Sequence, residues 1–366
     1  MLLSLLVIGA VLIVVILIFL QQSQFGQVPS GARLERIKNS PNYKNGSFQN
    51  LENTPNLAED VSMVSVLWNF LFHKTPRQIP TDSIPHVHTD IRTLDAQLEA
   101  LIWFGHSSYL MQTGDKRLLV DPVFNGHASP VSFTTRSFPG TTEYHAEDMP
   151  DIDFLVISHD HWDHLDYPTV KKMEPRVKRV ICPLGVGGHL EHWGYAPSKI
   201  IELDWHELAD LGDGFTIRAT PARHFSGRGL KRNGTLWTSF VLNTPARRIF
   251  LGGDSGYGKH FADIGKQYGP FDLAILENGQ YNPAWIYIHM LPEQVLQAAK
   301  DLQAKTLLPV HNAKFALSMH AWDEPLIRIT EANRNVKLPL LTPLIGEVVS
   351  LDDSTQVFAH WWEGES

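Results

Sequence analysis

The chain predicts an α/β fold, and three observations carry that reading. Short apolar runs bounded by polar or Gly-containing turns recur from Leu101 onwards. Stretches of helical periodicity interleave with them. A cluster of histidine and aspartate stands directly behind one apolar run, where a strand must end. Strands and helices in two alternating series give sheets covered by helices. The 366 residues, 43% hydrophobic and 19% charged, are enough for one large core or two modest ones, and one catalytic domain with a tail is the simpler division. A formal charge of −8 without any dense Lys/Arg stripe argues against a constitutive nucleic-acid binder. Cys182 is the sole cysteine, so no intramolecular disulfide forms, and its apolar setting in Val180–Cys182 reads as core.

From Leu2 to Leu20 every residue is apolar except Ser4 and Gly9, a run long enough to cross a hydrocarbon layer of roughly 30 Å. Nothing basic precedes it, and Gln21–Phe25 has no Ala-x-Ala pattern. The run therefore reads as an uncleaved single-pass membrane anchor. Arg33, Arg36, Lys38 and Lys44 follow it and vote weakly for a body on the cytoplasmic side. Residues 21–60, with Pro29, Pro41 and Pro55, read as an extended linker lying on or near the domain. Val61, Val64, Leu67, Trp68 and Leu71 fall at helical spacing. That helix is expected to pack on the domain, because its polar face lacks the Lys and Arg of a membrane-surface helix. The expected division is an anchor at 1–20, a linker with a packed helix at 21–77, and one large domain at 78–366.

Within the domain, Ile102–Gly105, Tyr109–Met111 and Arg117–Asp121 have the spacing of a meander. Further strands are expected at Phe154–Ile157, Val177–Cys182, Ile200–Trp205, Phe215–Thr220, Leu236–Leu242, Arg248–Leu251, Leu273–Leu276, Thr306–Val310 and Glu347–Leu351. Helices are expected at Tyr167–Met173, Pro292–Leu302, with Pro at its start, and Glu324–Asn335. Gly185–Gly188 lacks the Lys-Ser/Thr tail of a phosphate loop and reads as a turn.

Phe154–Ile157 runs into Ser158–His159–Asp160–His161–Trp162–Asp163–His164. His and Asp together suit a borderline cation such as zinc, and the absence of a Cys cluster excludes a closed thiolate site. Sites of that open kind do chemistry. His224, Asp254 and His311 each stand at the C-terminal tip of a later apolar strand, and together with the motif they read as further ligands.

The order His-x-His-x-Asp-His, Arg223–His224, Gly253–Asp254–Ser255–Gly256–Tyr257, then Pro309–Val310–His311 resembles the metallo-β-lactamase superfamily. Trp103–Ser108, Asp121–Phe124, Tyr268–Leu273 and His320–Pro325 look like its branch related to N-acyl-phosphatidylethanolamine-hydrolysing phospholipase D and, less closely, to ascorbate-phosphate lactonases. The similarity spans most of Gln78 to Asn335. Asn312–Ala313–Lys314 departs from the His-Trp-Gly of the animal phospholipase.

The resemblance implies an αββα sandwich with a dinuclear site between its sheets. One ion would take His159, His161 and His224, the other Asp163, His164 and His311, with Asp254 bridging. Asp163 and Asp254 would be the catalytic carboxylates. Two zinc ions are the expected cofactors, with manganese as the alternative, and a hydroxide held between them would attack the substrate. His106, His289, Lys314 and His320 are expected to face that substrate. The implied function is a membrane-anchored phosphodiesterase acting on N-acyl phosphatidylethanolamine or a similar amphiphile, with a lactonase or other carboxylic-ester hydrolase as the alternative. The expected partners are thus a phospholipid and the membrane, not nucleic acid.

Overall fold

The computed structural model describes residues 2–73 and 75–364. Its first helix, α1 (Leu2–Leu20), is long and apolar enough to cross a membrane, and no residue of Leu3–Leu20 is buried by the body. The segment beyond is not the extended linker that its prolines predict. It forms α2 (Gly31–Lys38) and a small hairpin of β1 (Tyr43–Lys44) and β2 (Ser47–Phe48). Ile37 and Phe48 are buried with Leu184, Trp205, Ala222, Leu236 and Trp237. Arg33 reaches Glu191 and Glu202, each at 2.6 Å. Burying an apolar side chain of this size contributes roughly 1.5–3 kcal/mol, enough to hold a polar, proline-bearing strap against the domain.

The helix expected within 59–73 exists as α3 (Met63–Phe72), started by Ser62, whose Oγ accepts the Ser65 amide at 3.1 Å. It does not pack as expected. Val64 is 76% exposed and Trp68 57%, and Leu67, Phe70 and Phe72 are exposed with them. Beneath α3 lies a hollow rather than a core: Met63 and Val66 line a cavity instead of filling an interface.

The body follows in two series. The first is β3 (Ala100–Trp103), β4 (Tyr109–Thr113), β5 (Lys116–Val120), β6 (Ile152–Val156), α4 (Tyr167–Met173), β7 (Val177–Pro183), α5 (Gly187–His192) and β8 (Ile200–Leu203). The second is β9 (Leu208–Gly212), β10 (Phe215–Thr220), β11 (Ser239–Asn243), β12 (Arg248–Leu251), α6 (His260–Tyr268), β13 (Leu273–Glu277), α7 (Pro292–Asp301), β14 (Leu307–Val310) and α8 (Glu324–Val336). Each opens as an antiparallel meander and continues with parallel strands joined by long crossovers, α-helical in every case but the loop from β5 to β6. A last strand, β15 (Val348–Ser350), returns to pair antiparallel with β3. The sheet orders are β15-β3-β4-β5-β6-β7-β8 and β14-β13-β12-β11-β10-β9.

Side-chain alternation sorts these strands into layers. Phe154 and Val156 join Phe215, Ile217, Phe240 and Ile249 in a core between the two sheets. Leu155 and Cys182 point the other way, onto Val170 and Met173 of α4 and Leu190 of α5. Phe250 and Leu276 likewise pack on Phe261 of α6, Leu296 of α7 and Ile329 of α8. The result is the αββα sandwich that the resemblance implies.

Three local departures have physical reasons. Leu236 and Trp237, expected in a strand, are taken up by the buried patch under the strap, so β11 begins only at Ser239. β9 escapes the sequence pattern because only Ala209 and Leu211 face the core. Gly185–Gly188, expected as a turn, leads into α5, and its Gly185 and Gly187 amides both donate to Glu202 Oε1. A Cβ on Gly187 would lie 2.7 Å from the Glu202 carboxyl carbon, so the glycines here cradle the protein's own carboxylate.

Candidate metal centre

Every residue expected as a ligand reaches one place, the edge where strands of both sheets end. β6 delivers His159, His161, Asp163 and His164; β10 delivers His224, β12 Asp254 and β14 His311. Three overlapping groups form within it, two that hold the expected ligands and a third of Asp254, His289 and His311. His159, His161, His224 and Asp254 offer ligand atoms lying within 4.8 Å of one another, and so do His106, Asp163, His164 and His311. Asp254 touches both: its Oδ2 lies 3.9, 3.2 and 3.7 Å from Nε2 of His159, His164 and His224, and its Oδ1 lies 3.2 Å from His311 Nδ1.

The donor chemistry fits cations. Burial holds the imidazoles of His159, His224 and His311 well below the ordinary histidine range, so each is neutral with a lone pair to give. His159 Nε2 and His224 Nε2 crowd the same atom, His161 Nδ1, at 2.8 and 3.2 Å. His164 goes the other way: burial opposes its charge, but Asp254, Asp163 and Asp121 raise it well above the usual range. Its Nε2 and Asp254 Oδ1 are buried without a hydrogen-bond partner. Orphaned buried atoms are costly, and the charge on His164 offsets only part of that of the buried Asp163 and Asp254 carboxylates. Cations bound between the two groups would supply it.

The ligands are aimed by neighbours that sequence reasoning did not assign. Asp121, at the tip of β5, accepts from Ser158 N (2.8 Å), Ser158 Oγ (2.6 Å) and His164 Nδ1 (2.8 Å). That last bond keeps a proton on Nδ1 and leaves Nε2, facing Asp163 and Asp254, as the atom that a cation would take by displacing its proton. His224 Nδ1 donates to the Ile288 carbonyl at 3.0 Å, and Ser107 Oγ meets His311 Nδ1 at 3.0 Å. His106, Asp121 and His311 all have left-handed backbone, with φ of 53°, 41° and 66°, a strain that surroundings must hold in place. Gly253, at φ 57°, has no room for a side chain, since a Cβ would lie 2.8 Å from Ser158 Cβ. Asp121 carried a signal that could have found it: like Asp254 and His311, it is a polar residue at an apolar strand tip.

The four residues expected to face substrate divide. His289 does line the cavity, with Nδ1 3.2 Å from Glu277 Oε2. Burial opposes its charge and the Glu277 carboxylate raises it, while burial pushes Glu277 up to about 7. His106 is wholly buried and sits behind a ligand, Nε2 to Asp163 Oδ2 at 2.9 Å. Lys314 is 1% exposed; its ammonium donates to the Phe104 carbonyl at 3.0 Å, and burial pushes it down to about 7. It closes the core under the site and cannot meet a head group. His320 is spent as well, accepting from Gln280 N at 2.9 Å and donating to Ala321 O at 2.8 Å while stacked on Tyr281.

Over the ligands lies a cavity of about 260 Å³. His161, Asp163, His224, Asp254, His289 and His311 form its floor, and Leu57, Met63, Val66, Phe225, Trp285, Ile288 and Leu317 its apolar walls. Arg232 stands there too, its guanidinium 5.0 Å above the Phe225 ring. A larger hollow of about 440 Å³, around Arg247, Asp272, Thr306 and Gln356, lies where strands begin and has no ligand cluster. The chemistry belongs to the smaller cavity.

A family model for the Beta-lactamase superfamily domain matches residues 116–312. An uncharacterised protein of Mycobacterium tuberculosis is 39% identical over 331 residues, covering 88% of this chain and 87% of that protein. N-acyl-phosphatidylethanolamine-hydrolyzing phospholipase D 1 of Caenorhabditis elegans is 34% identical over 227 residues, 57% of this chain and 62% of that one. Among solved structures, a metallo hydrolase of Ignicoccus hospitalis superposes with a TM-score of 0.51 at 23% identity, covering 68% of this chain and 97% of its own.

Proposed function

Because the chain belongs to the β-lactamase superfamily and is a metal-dependent hydrolase, we propose that it is a membrane-anchored phosphodiesterase of phospholipase D type, acting on N-acyl phosphatidylethanolamine or a similar amphiphile. Two zinc ions are the cofactors proposed, with manganese as the alternative. The C. elegans relative carries that activity in its name, and this chain spans less than two thirds of it.

The observation that carries the substrate class is the shape of the cavity. Its floor is ligand chemistry, one wall is apolar through Leu57, Met63 and Val66, and that wall continues into the exposed apolar surface of α3. An acyl chain laid along α3 brings a polar head to the floor. Among the described residues Arg232 makes no ion pair, so it is free to take the negative charge of a diester at the mouth. A chain of edge-to-face rings, Phe19 to Phe25 to Trp162, leads from α1 to the ligand loop. With α1 as the anchor, the cavity stands at the lipid surface.

His159, His161 and His224 would hold one divalent ion and Asp163, His164 and His311 a second, with Asp254 near both, and such ions would supply an acidified water and a Lewis-acid field. The chain's own residues do the rest. His106 and Asp121 hold Asp163 and His164 in register. Asp163 is a ligand first and a proton acceptor second. His289, backed by Glu277, holds a proton at the cavity floor, where a leaving oxygen can take it. The apolar walls exclude bulk water.

Side-by-side rates with zinc and manganese on a bis-aryl phosphodiester, an N-acyl phosphatidylethanolamine and a lactone test the reading. Diester cleavage releasing phosphatidic acid is expected. His311→Ala should lower it at least ~100-fold, about 2.7 kcal/mol of transition-state stabilisation, because in-line displacement leans on both ions. Robust lactone opening without diester cleavage under either metal would replace this reading with the carboxylic-ester one.

A further inference from the structure

The ligand loop is held from outside by a side chain that none of the chemistry above uses. Arg228 is charged yet 4% exposed, and it ion-pairs with no carboxylate among the described residues. Its donors go to backbone carbonyls instead. Nη1 reaches Asp160 O at 2.9 Å and Leu165 O at 2.6 Å; Nε and Nη2 reach Gln24 O at 3.1 and 2.9 Å. The guanidinium plane lies 4.0 Å from the centre of the Trp162 ring and 5.3 Å from that of Trp193.

The two carbonyls on Nη1 bracket the loop. Between Asp160 and Leu165 stand His161, Asp163 and His164, and at the middle is Trp162, on which the guanidinium stacks. One planar cation thus fixes both ends and the centre of the turn that presents ligands to both groups. Only arginine can do this, since a lysine has neither the fork nor the flat face. The far side of the fork is closed by Gln24, four residues beyond α1, and neighbouring Phe25 meets Trp162 edge to face with ring centres 5.3 Å apart. We propose that Arg228 is a positioning residue for the metal-binding loop, acting by clamping that loop against the segment that follows α1. The inference rests on the metal-centre reading.

The test uses the full chain with Arg228→Lys and Arg228→Gln, loaded with cobalt(II). Cobalt affinity comes from competition with a chelator, and the visible absorption band of the bound ion reports ligand geometry independently of turnover. Wild type is expected to bind and show a band. Arg228→Gln should lose about 10-fold or more in affinity, in the range that removal of an orienting neighbour costs, with an altered band, and Arg228→Lys should recover part of both. In the loaded proteins kcat should fall more than KM rises. Wild-type affinity and band in both variants would overturn the proposal, and a wild type that takes up no cobalt would overturn the metal centre itself. If both variants fail to fold, Trp162→Leu decides, since it removes the ring on which the Arg228 guanidinium rests and leaves every proposed ligand in place. A weakened affinity or shifted band supports the clamp, and no change in either refutes it.

Discussion

Asp121→Asn is the sharpest single perturbation of the centre, because it keeps shape and volume and changes one atom's role. In the native site the carboxylate only accepts, from Ser158 N, Ser158 Oγ and His164 Nδ1. An amide must turn its NH2 group towards one side. Turned to Ser158 N, it sets donor against donor and leaves a buried N–H unpaired, at about 1–3 kcal/mol. Turned to His164, it forces Nδ1 to accept, so the ring proton moves to Nε2, the atom that faces Asp163 and Asp254. A protonated Nε2 cannot ligate. The expected outcome is a folded protein that keeps one tight ion on His159, His161, His224 and Asp254 and binds the second ~10–100-fold more weakly, about 1.4–2.7 kcal/mol. Zinc content by elemental analysis, with chelator competition for the two steps, measures this. Two ions bound with wild-type affinity would refute the assignment of Asp121 as the residue that sets the His164 tautomer.

Two predictions concern groups away from the ligands. Burial pushes His260 down to about 3, while in the unfolded chain it titrates near its ordinary value, so between those pH values the unfolded state holds the extra proton. Its neutral burial is therefore fully compatible with folding above about pH 6.5 and costs about 1.4 kcal/mol per unit as pH falls below that. Urea denaturation at pH 7 and pH 5 should show wild type losing about 2 kcal/mol more than His260→Gln, and equal losses would remove His260 as the source. Cys182 is buried between β7 and the α4–α5 layer, and burial pushes its thiol well above the usual range. A thiol reagent at pH 8 should label it only after denaturant is added, and rapid labelling of the native protein would contradict that core packing.

The gathering of the expected ligands was legible because four apolar strands each stop at a His or Asp, a pattern packing alone does not explain, and the four tips bring seven such residues to one edge. Asp121 obeyed the same rule and went unassigned, because a lone Asp before Pro122 also reads as a turn. Glu277 was hidden similarly, at the end of an unbroken apolar strand. The cavity walls were beyond reach, since Leu57, Met63 and Val66 come from the opposite end of the chain and only the folded path brings them over the ligands. Lys314 and His320 misled for a simpler reason. Charge and hydrogen-bonding capacity in a sequence do not tell whether a backbone carbonyl nearby will consume them, and here Phe104 and Ala321 do.

The division of the ligands between two sheets has a consequence for how the protein is made. On a ribosome adding roughly 5–20 residues per second, His159 to His164 emerge well before His224, Asp254 and His311. For that interval the nascent chain carries half a cluster, open on one side and able to hold a metal only loosely. Firm capture waits until β14 has been made, and the first sheet stays unfinished longer still, because its edge strand β3 is capped by β15, almost the last piece synthesised. A chain broken off early would keep the full His-x-His-x-Asp-His loop and yet retain neither its ion nor a closed sheet edge. Metal retention would therefore distinguish finished molecules from fragments, and the fragments, with the outer edge of β3 open, would be the ones prone to stick to each other.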